Sequence, residues 1–373
     1  MKSVGFRSLS VSFPETVRTN DYFREHNPEL VATAEERTLA KVWADHGGNP
    51  STFDRTFEPF RDDPFRGTKE RRALQPGEKM LPVEIDAARK AVAAAGLEPG
   101  DIDTVLATSF LPDTIGIGAA VFIAKALGIK GAAWNIETAC SSATAGFQLA
   151  SSLVKAEQAK HVLVVISCSY SRVSDPNDTF GWFLGDGCAA FVVGAVDEGY
   201  GHIAAHTINT AETCGAFWYM LDLDPEGKPW IRVEAGGKAG RSLRDTAEPY
   251  LRECVEGAAK AAGVGLGDID FFAFNTPTAW YGEFCVQALG IDRDKTINTY
   301  PLYANMGPVL WPVNLHHAAS LGKPKKDDLV LLYSVGSVSS AGSIVMRWGD
   351  VGLGPLPQRV QDDMDACTAM VKV

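Results

Sequence analysis

Cys140 stands in the stretch Trp134-Asn-Ile-Glu-Thr-Ala-Cys-Ser-Ser-Ala-Thr-Ala-Gly146, between a β-branched run and a run of small residues. A strand-to-helix junction of this kind sets a sulfur at a helix N-terminus, where unpaired backbone N–H groups and the macrodipole favour the thiolate. A thiolate so placed can attack an acyl carbonyl and keep the acyl group as a thioester. The other six cysteines (Cys168, Cys188, Cys214, Cys254, Cys285 and Cys367) are scattered and form no C-x-x-C pair, which reads as reduced thiols rather than disulfides or zinc ligands. Of the seven histidines (His26, His46, His161, His202, His206, His316, His317), His206 lies where a strand ends and is a candidate base. His202 and His206 are four apart, but in a strand-like run such residues sit about 13 Å apart on one face, so no metal is expected.

The elements that must hold this cysteine are legible as a duplication. Ala94-Ala-Gly-Leu-Glu-Pro-Gly-Asp-Ile-Asp-Thr-Val-Leu-Ala-Thr108 recurs as Ala261-Ala-Gly-Val-Gly-Leu-Gly-Asp-Ile-Asp-Phe-Phe-Ala-Phe-Asn-Thr276. Ala126-Leu-Gly-Ile129 recurs as Ala288-Leu-Gly-Ile291, and Val162-Leu-Val-Val-Ile-Ser167 as Leu329-Val-Leu-Leu-Tyr-Ser334, with 162 to 167 positions between copies. Three echoes in order indicate two copies of one α/β unit. The apolar strands are continuous rather than alternating, as in a sheet covered by helices on both faces. Two pseudo-symmetric halves are therefore expected, residues 1–196 and 197–350, with an inserted segment 27–66 in the first and a tail 351–373 outside the repeat.

With 373 residues, 46% of them hydrophobic, the chain can bury a large core. A formal charge of −11 argues against nucleic acid and anionic membrane as partners, since both need a basic surface. The start, Met1 to Phe13, lacks the pattern of a signal peptide, and no run approaches a membrane span, so a cytoplasmic protein is expected. Residues Val31 to Ala44 read as a helix. Arg55, Arg61, Arg66, Lys69, Arg71 and Arg72 follow, either as a solvated loop or as a docking patch for an acidic carrier or phosphate-bearing donor.

Three motifs together, Thr138-Ala-Cys-Ser-Ser-Ala-Thr-Ala-Gly146, Phe183-Leu-Gly-Asp-Gly-Cys-Ala-Ala190 and Tyr303-Ala-Asn-Met-Gly-Pro308, resemble the ketoacyl-ACP synthase III group of thiolase-fold enzymes. The resemblance runs from Val4 to about Trp348. It implies a layered α-β-α-β-α body of two duplicated halves, with Cys140 taking an acyl group from a thioester. It implies an oxyanion hole made by the N–H of Cys140 and an N–H from the turn Val335 to Gly342, for which Ser337 is the candidate. Two such donors supply about 3 kcal/mol each.

Condensing members of this group use a His and an Asn beside the Cys. Asn305 matches the Asn, whereas the position that should be His is Asn275. An amide can donate or accept hydrogen bonds but cannot take a proton at neutral pH as imidazole can. Relatives that use coenzyme A stack its adenine on a Trp ahead of an Arg-Glu-Arg-like segment; here that segment is Lys69-Glu-Arg-Arg72, with no Trp between Asn49 and Thr68. The resemblance with these departures implies an acyltransferase in specialised metabolism that uses no cofactor. Its donor is an acyl carrier protein thioester, ahead of acyl-CoA, and its acceptor a carrier, hydroxyl or amine. The alternatives are a decarboxylating synthase, with His206 or Asn275 in place of the missing His, and a non-catalytic partner subunit. The resemblance also implies a homodimer, paired through a sheet edge beside the cysteine turn, with the loop Phe110 to Ile115 reaching the neighbour's pocket. Trp182, Trp218, Tyr219, Trp280 and Trp311 are candidate pocket aromatics.

Overall fold

The structure is a computed structural model that describes residues 2–36, 50–173, 178–223, 226–336, 338–358 and 360. In chain order the strands are β1 (Val4–Ser12), β2 (Val17–Thr19), β3 (Glu70–Arg72), β4 (Thr104–Phe110), β5 (Ala132–Asn135), β6 (His161–Ser169), β7 (Asp186–Ala195), β8 (Gly201–Asn209), β9 (Phe217–Leu223), β10 (Pro229–Ala235), β11 (Phe271–Phe274), β12 (Leu329–Val335), β13 (Ser340–Arg347) and β14 (Gly352–Leu353). The helices are α1 (Asn20–His26), α2 (Pro28–Glu36), α3 (Thr52–Phe57), α4 (Leu81–Ala94), α5 (Ala120–Leu127), α6 (Ser142–Lys155), α7 (Ala239–Ala262), α8 (Tyr281–Leu289), α9 (Tyr300–Tyr303) and α10 (Leu310–Ser320).

The first sheet has the order β14-β1-β7-β6-β4-β5 and the second β11-β12-β13-β8. Read from the same end, β1-β7-β6-β4 and β8-β13-β12-β11 are one pattern: an antiparallel pair, a second antiparallel pair, then a parallel pair. The duplication in the sequence is thus a duplication of sheet topology. The start of the tail joins the first sheet without belonging to the repeated pattern: β14 pairs in parallel with β1 and has no counterpart beside β8.

Helix α6 lies between the sheets. Its Ser142, Ala143, Thr144, Gly146, Phe147, Ala150, Ser151 and Val154 are buried around most of its circumference, which small side chains permit at close approach to two sheets. With α10 it forms a middle layer whose core joins Phe6, Phe147 and Phe191 to Trp311 and Ile344. Helices α4 and α5 cover the outer face of the first sheet, and α7 and α8 that of the second. The result is five layers, α-β-α-β-α.

The inserted segment is tied down by aromatics rather than left as a solvated loop. Phe53, Phe57 and Phe60 surround Trp280 of the second half, with ring centroids 4.8 to 6.1 Å from it. The helix expected over Val31 to Ala44 begins earlier, as α2 at Pro28; residues 37–49 lie outside the described ones.

One buried acid bears on stability. Glu84 of α4 is buried, and its Oε1 accepts from Ser109 Oγ at 2.6 Å and Ser167 Oγ at 2.5 Å. Burial, opposed in part by those hydroxyls, raises its pKa. A folded-state pKa above the unfolded one means that this group's stabilising contribution is complete at low pH and is lost as pH rises through the folded value. Glu84→Gln keeps an oxygen for both serines and removes the charge, so its melting temperature should exceed that of the wild type at pH 8 and match it near pH 4, below the ordinary carboxyl value. Glu84→Ala should be destabilised by about 1–3 kcal/mol at both. Thermal melts of the three proteins at the two pH values check this.

Candidate active site

Cys140 sits in a 3-10 turn, Ala139–Ser141, that runs into α6. The turn is pinned locally. Glu137 Oε1 accepts from the Ala139 N–H at 2.6 Å, Thr138 N donates to Ser142 Oγ at 2.9 Å, and Ser142 Oγ donates to Ala139 O at 2.8 Å. These bonds hold Ala139 at φ +52°, left-handed backbone that costs an L-residue about 1–2 kcal/mol. Among the described residues no acceptor takes the Cys140 N–H; it leans on its own sulfur instead.

The second half reaches this turn through the loop between β12 and β13. Ser141 Oγ and Ser340 Oγ are 2.8 Å apart, and Thr144 Oγ1 is 2.6 Å from Ser334 Oγ. A side chain at Gly336 would lie 2.8 Å from Thr138 O, so glycine is what lets the two loops touch. Ser337, the candidate second oxyanion donor, lies outside the described residues.

Asn305 is set by three bonds. Its N donates to Phe183 O and its O accepts from Gly185 N, each at 2.9 Å, and its Oδ1 accepts from Gly307 N at 2.8 Å. The last fixes the amide with its NH2 as the end left for other partners. Gly307, at φ +52°, folds the turn over Tyr170 and Cys168; a side chain there would lie 3.4 Å from the Tyr170 hydroxyl and 3.3 Å from Cys168 Sγ. Asn275 directly follows β11, with its N–H donated to Tyr333 O at 2.9 Å, and it is buried. Among the described residues, neither Oδ1 nor Nδ2 of Asn275 has a hydrogen-bond partner.

His206 is not brought to this site. On β8 it pairs with Ser343 of β13, and its ring packs against Gly257 of α7, on the outer face of the second sheet. Its neighbour Thr207 is the residue that faces inward, bonding Gln148 of α6, because side chains alternate along a strand. His316 and His317 are buried behind the site, bonded to Gly354 O and the Tyr303 hydroxyl, and burial lowers their pKa to about 4 and about 3.

The thiolate expectation also meets a correction. Burial pushes the Cys140 thiol up to about 11, and the nearby Glu137 carboxylate adds to the rise. A hydrogen bond from Tyr170 and the backbone N–H oppose it without prevailing. Desolvation of a small anion outweighs one helix end here, so the resting group is a neutral thiol.

The arginine cluster is dispersed. Arg71 is buried, donating to Trp182 O, Arg18 O and Asn20 Oδ1, which ties together separate segments of the first half. Arg61 pairs with Glu58, and Arg66 lies over the Phe183 ring. Of the candidate pocket aromatics, Trp182, Trp280 and Trp311 are core packing and Trp218 is surface-exposed, whereas Tyr219 reaches the site.

Sequence reading missed Glu137, Tyr170 and the role of Asp186. The carboxylate of Asp186, in the Gly-Asp-Gly motif, is fully buried and accepts from Leu74 N at 2.7 Å and Ser171 N at 2.8 Å, which anchors the turn carrying Tyr170. A cleft of about 610 Å³ opens beside this turn, with Arg18, Lys79, Arg172 and Ser171 in its wall.

Duplicated sheets enclosing a helix that opens on a cysteine define a thiolase-like enzyme fold. Residues 134–212 match the family model of 3-oxoacyl-[acyl-carrier-protein (ACP)] synthase III, and residues 259–348 match its C-terminal model. A beta-ketoacyl-[acyl-carrier-protein] synthase III of Mesorhizobium japonicum is 31% identical over 266 residues, 70% of this chain and 82% of the relative. Its counterpart in Sinorhizobium medicae is 31% identical over 288 residues, 76% and 88% of the two chains. The crystal structure of 3-oxoacyl-(acyl carrier protein) synthase III from Pseudomonas aeruginosa PAO1 superposes with a TM-score of 0.76 at 20% identity, covering 95% of this chain and 100% of that one. The chain belongs to the beta-ketoacyl-ACP synthase III family and is a transferase-class enzyme of that family.

Alkylation of Cys140 by iodoacetamide should be slow at pH 7 and rise towards a midpoint near 11. Glu137→Gln, whose oxygen can still accept from Ala139 N, removes a negative charge and should move the rate profile to lower pH. An unchanged or upward profile would contradict this electrostatic role.

Proposed function

We propose that the protein transfers an acyl group from a carrier-protein thioester, ahead of acyl-CoA, through a Cys140 thioester to a carrier, hydroxyl or amine acceptor, without decarboxylation. The observation that carries this reading is Asn275: a buried amide, without a hydrogen-bond partner among the described residues, occupies the position after β11 that the resemblance assigns to a proton-accepting imidazole. Acylation asks less of the site. Cys140 Sγ bonds to the thioester carbonyl carbon, the bond to the carrier sulfur breaks, and the thiol proton passes to that sulfur. The Cys140 N–H is available to the oxyanion, with Ser337 N–H as the proposed second donor, and the NH2 of Asn305 can hold the acyl carbonyl or the acceptor. The cleft beside the Tyr170 turn, whose wall mixes Arg18, Lys79 and Arg172 with Glu78, Asp113 and Asp178, is the proposed approach for the donor's phosphopantetheine arm.

The second reading, a decarboxylating synthase, is favoured by the names of the curated relatives and by the retained Asn305. Intact-protein mass spectrometry after incubation with a panel of acyl-carrier and acyl-CoA donors separates the two. The expected result is a mass addition on the wild type, none on Cys140→Ala, and no carbon dioxide from malonyl carrier protein. Carbon dioxide release with product elongation would establish the second reading instead.

A homodimer is proposed through β5. This strand is the open edge of the first sheet, and Trp134, Ile115, Ile117 and Val121 leave an apolar strip beside it 47 to 70% exposed. Size-exclusion chromatography should give twice the 40.0 kDa chain mass, and Trp134→Lys should shift it towards the monomer.

A further inference from the structure

We propose that Tyr303 is a positioning residue for Asn305: its hydroxyl, bonded to His317, and its ring, stacked on Phe13, hold the intervening Ala304 in a glycine-like backbone and so fix where the Asn305 amide faces. This rests on the reading of Asn305 as the group that holds the acyl carbonyl or the acceptor, and deepens it by naming what aims that amide.

Ala304 has φ +56° and ψ −159°, and it is fully buried. This lies beside a region of backbone space that is essentially closed to residues with a Cβ, so an alanine stays there only where its surroundings over-determine it. Both neighbours do so. On one side, Asn305 is fixed by Phe183 O, the Gly185 N–H and the Gly307 N–H, and it bridges to Leu184 as a short parallel pairing. On the other, the Tyr303 hydroxyl lies 2.9 Å from His317 Nε2 of α10, and the Tyr303 ring stacks on Phe13 at 4.4 Å with the planes 8° apart. The Ala304 N–H is itself donated to Tyr300 O at 2.7 Å.

Two glycines make room for this arrangement. A side chain at Gly185 would collide with Tyr303 O, and one at Gly187 would lie 2.7 Å from Met306 Sδ and 3.1 Å from the Phe13 ring. The Gly-Asp-Gly motif thus receives the segment from Tyr303 to Met306 at close approach. The turn Gly307–Val309 that follows is in contact with the Cys140 turn, so a change in the Ala304 backbone would swing Asn305 relative to the sulfur's turn.

Tyr303 is 1% exposed and His317 2%, so neither group faces a substrate and both act through Asn305. Burial lowers the His317 pKa to about 3, which keeps the ring neutral and the bond to the phenol free of net charge.

The test uses p-nitrophenyl acetate, a carrier-free acyl donor, with the full chain. Tyr303→Phe should lower kcat by about tenfold, the size of one buried hydrogen bond, with KM within about twofold of the wild type. The double variant Tyr303→Phe, Asn305→Ala should be no slower than Asn305→Ala, because the phenol acts through that amide. A wild-type kcat for Tyr303→Phe, or losses that multiply in the double variant, overturns the proposal. If Tyr303→Phe fails to fold by circular dichroism, His317 decides. His317→Leu should lose activity to the same extent, whereas His317→Gln, whose amide can still meet the phenol, should stay within about twofold of the wild type. Equal rates for these two variants also overturn it. A second readout needs no turnover: Ala304→Gly relieves the backbone and should raise the melting temperature by about 1–3 °C, and by less when Tyr303 is replaced by Phe. Equal rises in the two backgrounds show that Tyr303 does not hold Ala304. If Asn305→Ala alone keeps the wild-type kcat, it is the reading of Asn305 that fails, and the melting comparison then decides the role of Tyr303, as it does if the ester is not turned over.

Discussion

The rest of the structure depends on one constraint: helix α6 must be buried between two sheets at once. A helix in that position can carry only small or precisely fitted side chains, and its row of Ser, Ala, Thr and Gly meets the requirement. Because both sheets pack on it, the turn that leads into it meets the loop ends of both halves. Ser141 touches Ser340, and Thr144 touches Ser334, so the cysteine just ahead of them is held by bonds whose partners lie about 190 residues away or more in the chain.

That enclosure sets the chemistry. A sulfur at an exposed helix end would gain thiolate character from the dipole, but the same packing that positions Cys140 leaves it only partly exposed to water. Desolvation prevails, and Glu137, needed to pin Ala139 in a left-handed backbone, adds a repelling charge. The site therefore has a rigid, neutral thiol surrounded by donors rather than a preformed ion pair with a base. Asn275, whose amide atoms have no hydrogen-bond partner among the described residues, adds no proton acceptor to the second half at the end of β11.

Much of the fold was legible because duplication is a property of order along the chain. The echoes of Ala94–Thr108 and Val162–Ser167 mark strands that recur in the same positions of both sheets. The family was legible for a similar reason, since the turns around Cys140, Asp186 and Asn305 need particular small residues at fixed spacing. The insert was not, because Phe53, Phe57 and Phe60 read as loop residues until Trp280 of the other half supplies the surface they cover. Arg71 misled in the same way: its charge suggested a docking surface, whereas backbone carbonyls from distant segments consume its donors.

By itself, the sequence determined the two-fold α/β architecture and the cysteine-bearing junction at its centre, because period, turn chemistry and motif spacing are local properties. Only the tertiary structure decided which side chains share that centre. His206 and Thr207 are neighbours in sequence, yet strand alternation sends one to the outer helix and the other to α6. Tyr170 carries no motif, and it comes to lie under Gly307 and beside Tyr219 because the end of β6, the Asn305 turn and the β9–β10 hairpin are packed against one another. Proximity of that kind is set by burial across the whole chain, and no short stretch of sequence contains it.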